Sequence, residues 1–325
     1  MNPVFEPLID RVMTILDRLF LLRPPLFFPV WIATAAGLGV GRWVSEPELF
    51  WHVGWNGWIL LLFVGMTLIS GAALILTQIA QAGTRSFARS LSVIDKGSIS
   101  PDRARRLAWI YLAVGLVLVL PSGALTVVAA LILFLAWGGL DSVMPPVLRA
   151  HPLAQTARHL LAAASLFYVG WGASGAPLTP SPGLALTYIL GFGGIGALMT
   201  LSSEAPSPSR GSRPGTLRLI VTILAATASV VVALVLGYAN GDPIISTAAA
   251  LALPFFVVAL IYRRDVDTAR TIRYALLIVA IFVGVRYPLL FIPLVINFYL
   301  CRTYYQRRFG VVYPTFQADQ ELLWD

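Results

Sequence analysis

A polytopic α-helical membrane bundle is the fold class that the sequence predicts, on three observations. Hydrophobic residues make up 58% of the 325-residue chain and charged residues 12%, far from the roughly even apolar share and one-quarter charged share of soluble domains. Mean hydropathy is +0.81. Unbroken apolar runs recur, such as Ile59 to Leu76 and Ile220 to Leu236, where a membrane β-barrel would alternate polarity over about ten residues. The predicted class is therefore all-α.

The first 23 residues place Val4, Phe5, Leu8, Ile9, Val12, Ile15, Leu16 and Leu19 on one helical face and Glu6, Asp10, Arg11, Thr14, Asp17 and Arg18 on the other. This pattern predicts an amphipathic helix lying at the membrane surface. It is not a cleavable leader, because two acids precede the first arginine and no charge-free core leads to a small-residue cleavage site.

Apolar segments follow at about 26–41, 58–80, 107–121, 123–138, 158–173, 183–201, 217–238, 244–262 and 274–300. Nine membrane helices are thus predicted, at about 20 residues per crossing. The last segment carries Arg286-Tyr287-Pro288 at its middle. Proline removes a backbone donor there, so ten helices are the alternative. Each half would be only about a dozen residues, short for a span.

Basic residues alternate between the loops. The second loop holds Arg85, Arg89, Lys96, Arg103, Arg105 and Arg106; the fourth holds Arg149; the sixth holds Arg210 and Arg213; the eighth holds Arg263, Arg264, Arg270 and Arg273. Odd loops hold Arg42 with Glu46 and Glu48, or Asp242, or no charge. The positive-inside rule puts the even loops and the N-terminus in the cytoplasm. A bacterial inner membrane is the expected location. Nine spans would leave Arg302, Arg307 and Arg308 on the outside, against that rule.

The expected organisation is an interfacial helix at 1–23, a transmembrane bundle at 24–302 and a C-terminal tail at 303–325. The lone Cys301 allows no internal disulfide, and three histidines, His52, His151 and His159, do not suggest a histidine-rich metal site. Net charge is +8, with Lys96 the one lysine among 23 basic residues. Topology and attraction to anionic lipid account for it without nucleic acid. Trp43, Trp51, Trp55 and Trp58 surround the first outer loop as an interfacial belt, and Gly191-Phe192-Gly193-Gly194-Ile195-Gly196 lies inside a span, where close helix packing is its use. Asp265 and Asp267 sit beside Arg263, Arg264 and Arg270 as a solvated charge cluster.

Two long polar loops, the second and the sixth, lie on one side four segments apart and suggest a site at the cytoplasmic mouth. Three stretches then carry a resemblance: Leu22-Arg23-Pro24 before the first span, Lys96-Gly97-Ser98-Ile99-Ser100-Pro101 ending the second loop, and Pro145-Pro146-Val147-Leu148-Arg149-Ala150-His151-Pro152 after the fourth span. In their order and spacing, over about residues 18–300, the chain resembles the UbiA superfamily of intramembrane prenyltransferases.

The resemblance implies a nine-helix ring around a lipid-facing cavity. It also implies an isoprenyl diphosphate held through Mg2+ by two aspartate motifs, since ionising an allylic diphosphate leaves negative charge that metal ions neutralise. In this chain the first motif falls on Thr77, Gln81 and Arg85, an amide and a cation replacing two carboxylates. The second falls near Ser202–Pro208 and keeps only Glu204. No cofactor is expected to be held strongly, Mg2+ being the family's.

Ligand-binding candidates are Thr77, Gln81, Arg85, Arg89, Arg149, Glu204, Arg210 and Arg213. Arginine forks can bind a phosphate or diphosphate directly, or the same arginines can serve only as topology signals. Arg286 within an apolar run should face the bundle interior. The expected function is binding of an isoprenyl diphosphate or anionic lipid, with metal-dependent prenyl transfer reduced or lost. A divergent active prenyltransferase, a noncatalytic partner subunit of another membrane protein, and a transporter are the alternatives.

Overall fold

Eleven helices follow one another with no strand among the described residues of the computed structural model, which are 6–46, 57–80, 93–94, 97–140, 152–177, 185–193, 216–262 and 265–310. They are α1 (Glu6–Phe20), α2 (Phe27–Ser45), α3 (Gly57–Ala80), α4 (Pro101–Val119), α5 (Ala124–Phe134), α6 (Pro152–Ala173), α7 (185–193), α8 (Thr216–Ala239), α9 (Pro243–Tyr262), α10 (Asp265–Arg286) and α11 (Phe291–Phe309). A π turn at Leu135–Gly139 continues α5. Four stretches, Pro24–Ser45, Gly57–Ala80, Pro101–Ser122 and Pro243–Tyr262, are long and apolar enough to cross a membrane, and Ala124–Gly139, Ile223–Ala239 and Tyr274–Val285 are shorter apolar helices.

The parallel helices α2 and α6 cross at the centre. Their approach depends on small residues at i and i+4: a Cβ on Gly37 would strike the Phe167 carbonyl, and one on Gly170 would strike that of Thr34. Without a hydrophobic driving force between helices in lipid, such backbone contact supplies the packing attraction. On one side α3 packs on α4 and α5 on α6; on the other α9 joins α8 to α10, and α10 returns to α2. The outward surface is apolar, with Leu60, Val117, Val235, Ile261 and Ile296 all exposed, as suits a lipid-facing wall.

Helix starts differ from the sequence expectation in two places. Arg103, Arg105 and Arg106, read as second-loop residues, belong to the first turns of α4, which begins after Ser100 with Pro101 at its first position and Asp102 beside it. Proline's fixed φ and an early acid both favour a helix start there. Likewise Asp265, Asp267, Arg270 and Arg273, read as eighth-loop residues, lie in α10, with the two acids at its N-terminal end.

The ninth apolar segment is two helices. A short 3-10 turn at Pro288–Leu290 separates α10 from α11, and each is longer than a dozen residues, at 22 and 19, because they extend into the charged flanks that hydropathy excludes. Helix α11 runs on through Phe309. Its end returns to α1: Tyr304 Oη donates to Asp17 Oδ1 at 2.6 Å, Arg308 Nη2 to Asp17 Oδ2 at 2.8 Å and to Ser98 Oγ at 2.8 Å. Phe20 stacks on Tyr304 with ring centroids 3.6 Å apart. Asp17, assigned by periodicity to the outer polar face of α1, is thus buried at 6% exposure. It belongs to a stripe with Met13 and Phe20, and its two donors offset its desolvation.

Candidate functional site

Of the eight candidate residues, the described structure contains Thr77. Gln81, Arg85, Arg89, Arg149, Glu204, Arg210 and Arg213 lie outside the described residues, as do His52, His151, Trp51 and Trp55. Thr77 stands on the last turn of α3, at the end that leads into the second loop. Its hydroxyl donates to the Trp137 carbonyl in the π turn at 2.6 Å, with the Ala73 carbonyl 3.1 Å away. Immediately beside it α3 and the π turn touch, since a Cβ on Gly138 would come within 2.7 Å of Ala73 Cα. Thr77 therefore pins two helices. Wide π turns are often sited at functional positions, and this one abuts Thr77, a candidate ligand-binding residue.

Adjacent Gln78 also does structural work, its Nε2 donating to the Leu21 carbonyl at 3.0 Å. That bond fixes the corner between α1 and α2, where Arg23 takes a left-handed φ of 56° and Asn297 Nδ2 donates to the Pro24 carbonyl at 2.9 Å. The stretch Leu22-Arg23-Pro24 is thus a corner held by α3 and α11. A left-handed non-glycine costs on the order of 1 kcal/mol and persists only when its surroundings fix it.

Helix α6 carries two further basic side chains in its first half, Arg158 and His159. Thr126 Oγ1 lies 3.3 Å from the Val169 carbonyl, pairing α5 with α6. Helix α6 also packs on the π turn that holds Trp137. Arg158 and His159 are both partly buried. On the next turn a Cβ on Gly193 would meet the Leu160 side chain, which puts Gly193 of α7 against the same part of α6. Arg158 was passed over because charge was counted in loops; its signal was a single arginine inside an otherwise apolar helix.

Thr77 and Trp137 are therefore joined where α3 meets the π turn, and α6, which carries Arg158, packs on that turn and on Gly193 of α7. The described polar groups of these helices include a guanidinium and a spent hydroxyl. The donor chemistry does not fit Mg2+: Thr77 gives its proton to the Trp137 carbonyl, and neither an amide nor a guanidinium, the groups of Gln81 and Arg85 that follow it in sequence, is an adequate ligand for that ion. Among the described residues no group of three His, Cys, Asp or Glu side chains comes together.

Elsewhere, Trp43 and Trp58 are partly buried at the ends of α2 and α3, and Trp31 Nε1 donates to Thr67 Oγ1 at 2.8 Å across those helices. An apolar crevice lined by Phe192, Val230, Ile245, Ala252, Phe256 and Val279 lies between α7, α8, α9 and α10.

Helices of this length, apolarity and lipid-facing exposure define an integral membrane protein of the all-α class. Its fold is that of UbiA, as comparison with solved structures shows. A UbiA homologue from Archaeoglobus fulgidus bound to GPP and Mg2+ superposes with a TM-score of 0.61 at 15% identity, covering 84% of this chain and 98% of that one. A structure of digeranylgeranylglyceryl phosphate synthase gives a TM-score of 0.59 at 18% identity, covering 84% and 99%. The Archaeoglobus fulgidus homologue is also known bound to DMAPP and Mg2+, with a TM-score of 0.58 at 15% identity over 81% of this chain and 98% of that one. No protein-family model and no curated protein sequence matches the chain.

Proposed function

We propose that this chain is a divergent member of the UbiA superfamily that binds a prenyl diphosphate or a related anionic isoprenoid lipid, with metal-dependent prenyl transfer reduced or lost. The observation that supports the reading is Thr77: the fold is retained, while this residue, on which the resemblance sets the start of the first motif, spends its hydroxyl on pinning two helices. Gln81, Arg85 and Glu204 complete the replaced motifs, and Arg89, Arg149, Arg210 and Arg213, joined by Arg158, supply cations to the same mouth. Guanidinium groups pair with phosphate oxygens bidentately without a metal.

The test is thermal unfolding of the purified chain with geranyl diphosphate. Stabilisation should rise with ligand concentration, change little when Mg2+ is chelated, and fall steeply with salt. Arg85→Ala should weaken binding by about tenfold, the effect of one charge-assisted contact. Efficient Mg2+-dependent transfer by the unmodified protein, abolished by chelator, would overturn the noncatalytic reading.

The orientation proposed with it has α1, the second and sixth loops and the end of α11 in the cytoplasm. Asp17, Ser98 and Arg308 meeting at one place supports it, because Arg302, Arg307 and Arg308 then accord with the positive-inside rule. Membrane-impermeant labelling of single cysteines in a Cys301→Ala background should leave positions 86 and 209 protected in intact cells. Position 179, in the loop after α6, should react.

A further inference from the structure

The junction of α1, α11 and the turn before α4 is electrically closed, whereas its surroundings are not. Asp17 is taken up by Tyr304 and Arg308, and Asp102 lies 3.8 Å from Arg105. Beside these pairs, Arg18 follows Asp17 directly and Arg103 stands five residues beyond Ser98, with Arg106 one turn further on. All three are exposed, and among the described residues none of them makes an ion pair. Arg308 ties Asp17 of α1 to Ser98 just before α4, so the two helices lie side by side at this end.

Below the arginines the same strip of α4 turns apolar. Residues 103, 106, 110, 114 and 117 fall on one face at helical spacing, and Ile110, Val114 and Val117 are 55%, 45% and 68% exposed. On α1, Ile15 stands one turn before Arg18 and is 65% exposed. Unneutralised cations at the end of an exposed apolar strip on a lipid-facing helix match an acidic headgroup with a hydrocarbon chain running beneath it.

We propose that the groove between α1 and α4 is a binding site for an anionic phospholipid, its phosphate held by Arg18, Arg103 and Arg106 and its acyl chain lying along Ile110, Val114 and Val117. The site is separate from the mouth where the prenyl diphosphate is placed and does not depend on that reading. Its occupant joins α1 to α4, as Arg308 already joins α1 to Ser98, and so fastens the first helix to the bundle.

The experiment measures thermal unfolding of the full chain in neutral detergent with phosphatidylglycerol or phosphatidylcholine added at equal mole fraction. Phosphatidylglycerol should raise Tm above the phosphatidylcholine value, and the difference should shrink with added salt. R18Q/R103Q/R106Q should weaken phosphatidylglycerol binding by about a hundredfold, the combined effect of three surface cations. Arg42→Gln, at the far end of α2, should leave it unchanged. If the triple variant does not fold, Arg18→Gln alone is compared with Arg42→Gln and should lose about fivefold. Equal stabilisation by the two lipids, or a phosphatidylglycerol effect that survives the substitutions, overturns the proposal. So does loss of geranyl diphosphate stabilisation in the triple variant with phosphatidylglycerol binding intact, which would assign the arginines to the isoprenoid instead.

Discussion

Gly170→Val is expected to remove nearly all monodisperse protein from detergent extracts, as read by fluorescence-detected size exclusion. The first added carbon meets the Thr34 carbonyl and lies 2.6 Å from the Leu38 amide nitrogen. Neither can swing aside as a side chain would. Helices α2 and α6 must separate, and every contact along the central crossing loosens with them, at a cost of about 3 kcal/mol or more. Gly57→Ala is the matched control, since nothing lies within 4 Å of the position its Cβ would take, and it should extract as the parent does. Normal extraction of Gly170→Val would mean that α2 and α6 do not cross at these residues.

Asp242→Ala should produce the second largest loss, about 3 kcal/mol, seen as a fall in Tm of the detergent-solubilised chain. Asp242 is 1% exposed. Its Oδ2 accepts from Tyr188 Oη at 2.7 Å, and its Oδ1 accepts from the backbone N–H of Ile244 at 2.9 Å at the start of α9. Alanine would take this acceptor away from a buried phenol and from the first amides of a helix. Tyr188→Phe removes one donor only and should cost about 1 kcal/mol, whereas Asp242→Asn keeps an acceptor for the cap and should fall between the two. If Tyr188→Phe and Asp242→Ala were equally damaging, the phenol rather than the helix cap would dominate.

Most of the architecture was legible in hydropathy, because a span must be apolar over its whole length and helices are the natural way to satisfy its backbone. The starts of α4 and α10 were not, since a helix can extend into charged flanks at no cost in lipid. Asp242 read as a lone outer-loop charge, although Gly241-Asp242-Pro243 has the Asp-Pro order of a capped start. Asp17 was misplaced because periodicity was scored by polarity, so an acid inside the apolar stripe was moved off it. At the mouth, sequence named Thr77 as a candidate, but nothing local showed that it bonds a carbonyl of α5's π turn 60 residues away. Arg158 escaped for the complementary reason that charge was sought between helices.

The bond from Arg308 to Asp17 spans 291 positions of the chain, and this sets an order on biosynthesis. A ribosome adding 5 to 20 residues per second needs roughly 15 to 60 s to travel from one partner to the other. For that interval Asp17 has neither Tyr304 nor Arg308 to accept from, and burying its bare carboxylate would be costly. Helix α1 is therefore free to wait with that charge in water while the intervening helices insert. Docking of the first helix becomes one of the last events of assembly, and a chain released early, short of Tyr304, would carry an undocked N-terminal segment open to proteases.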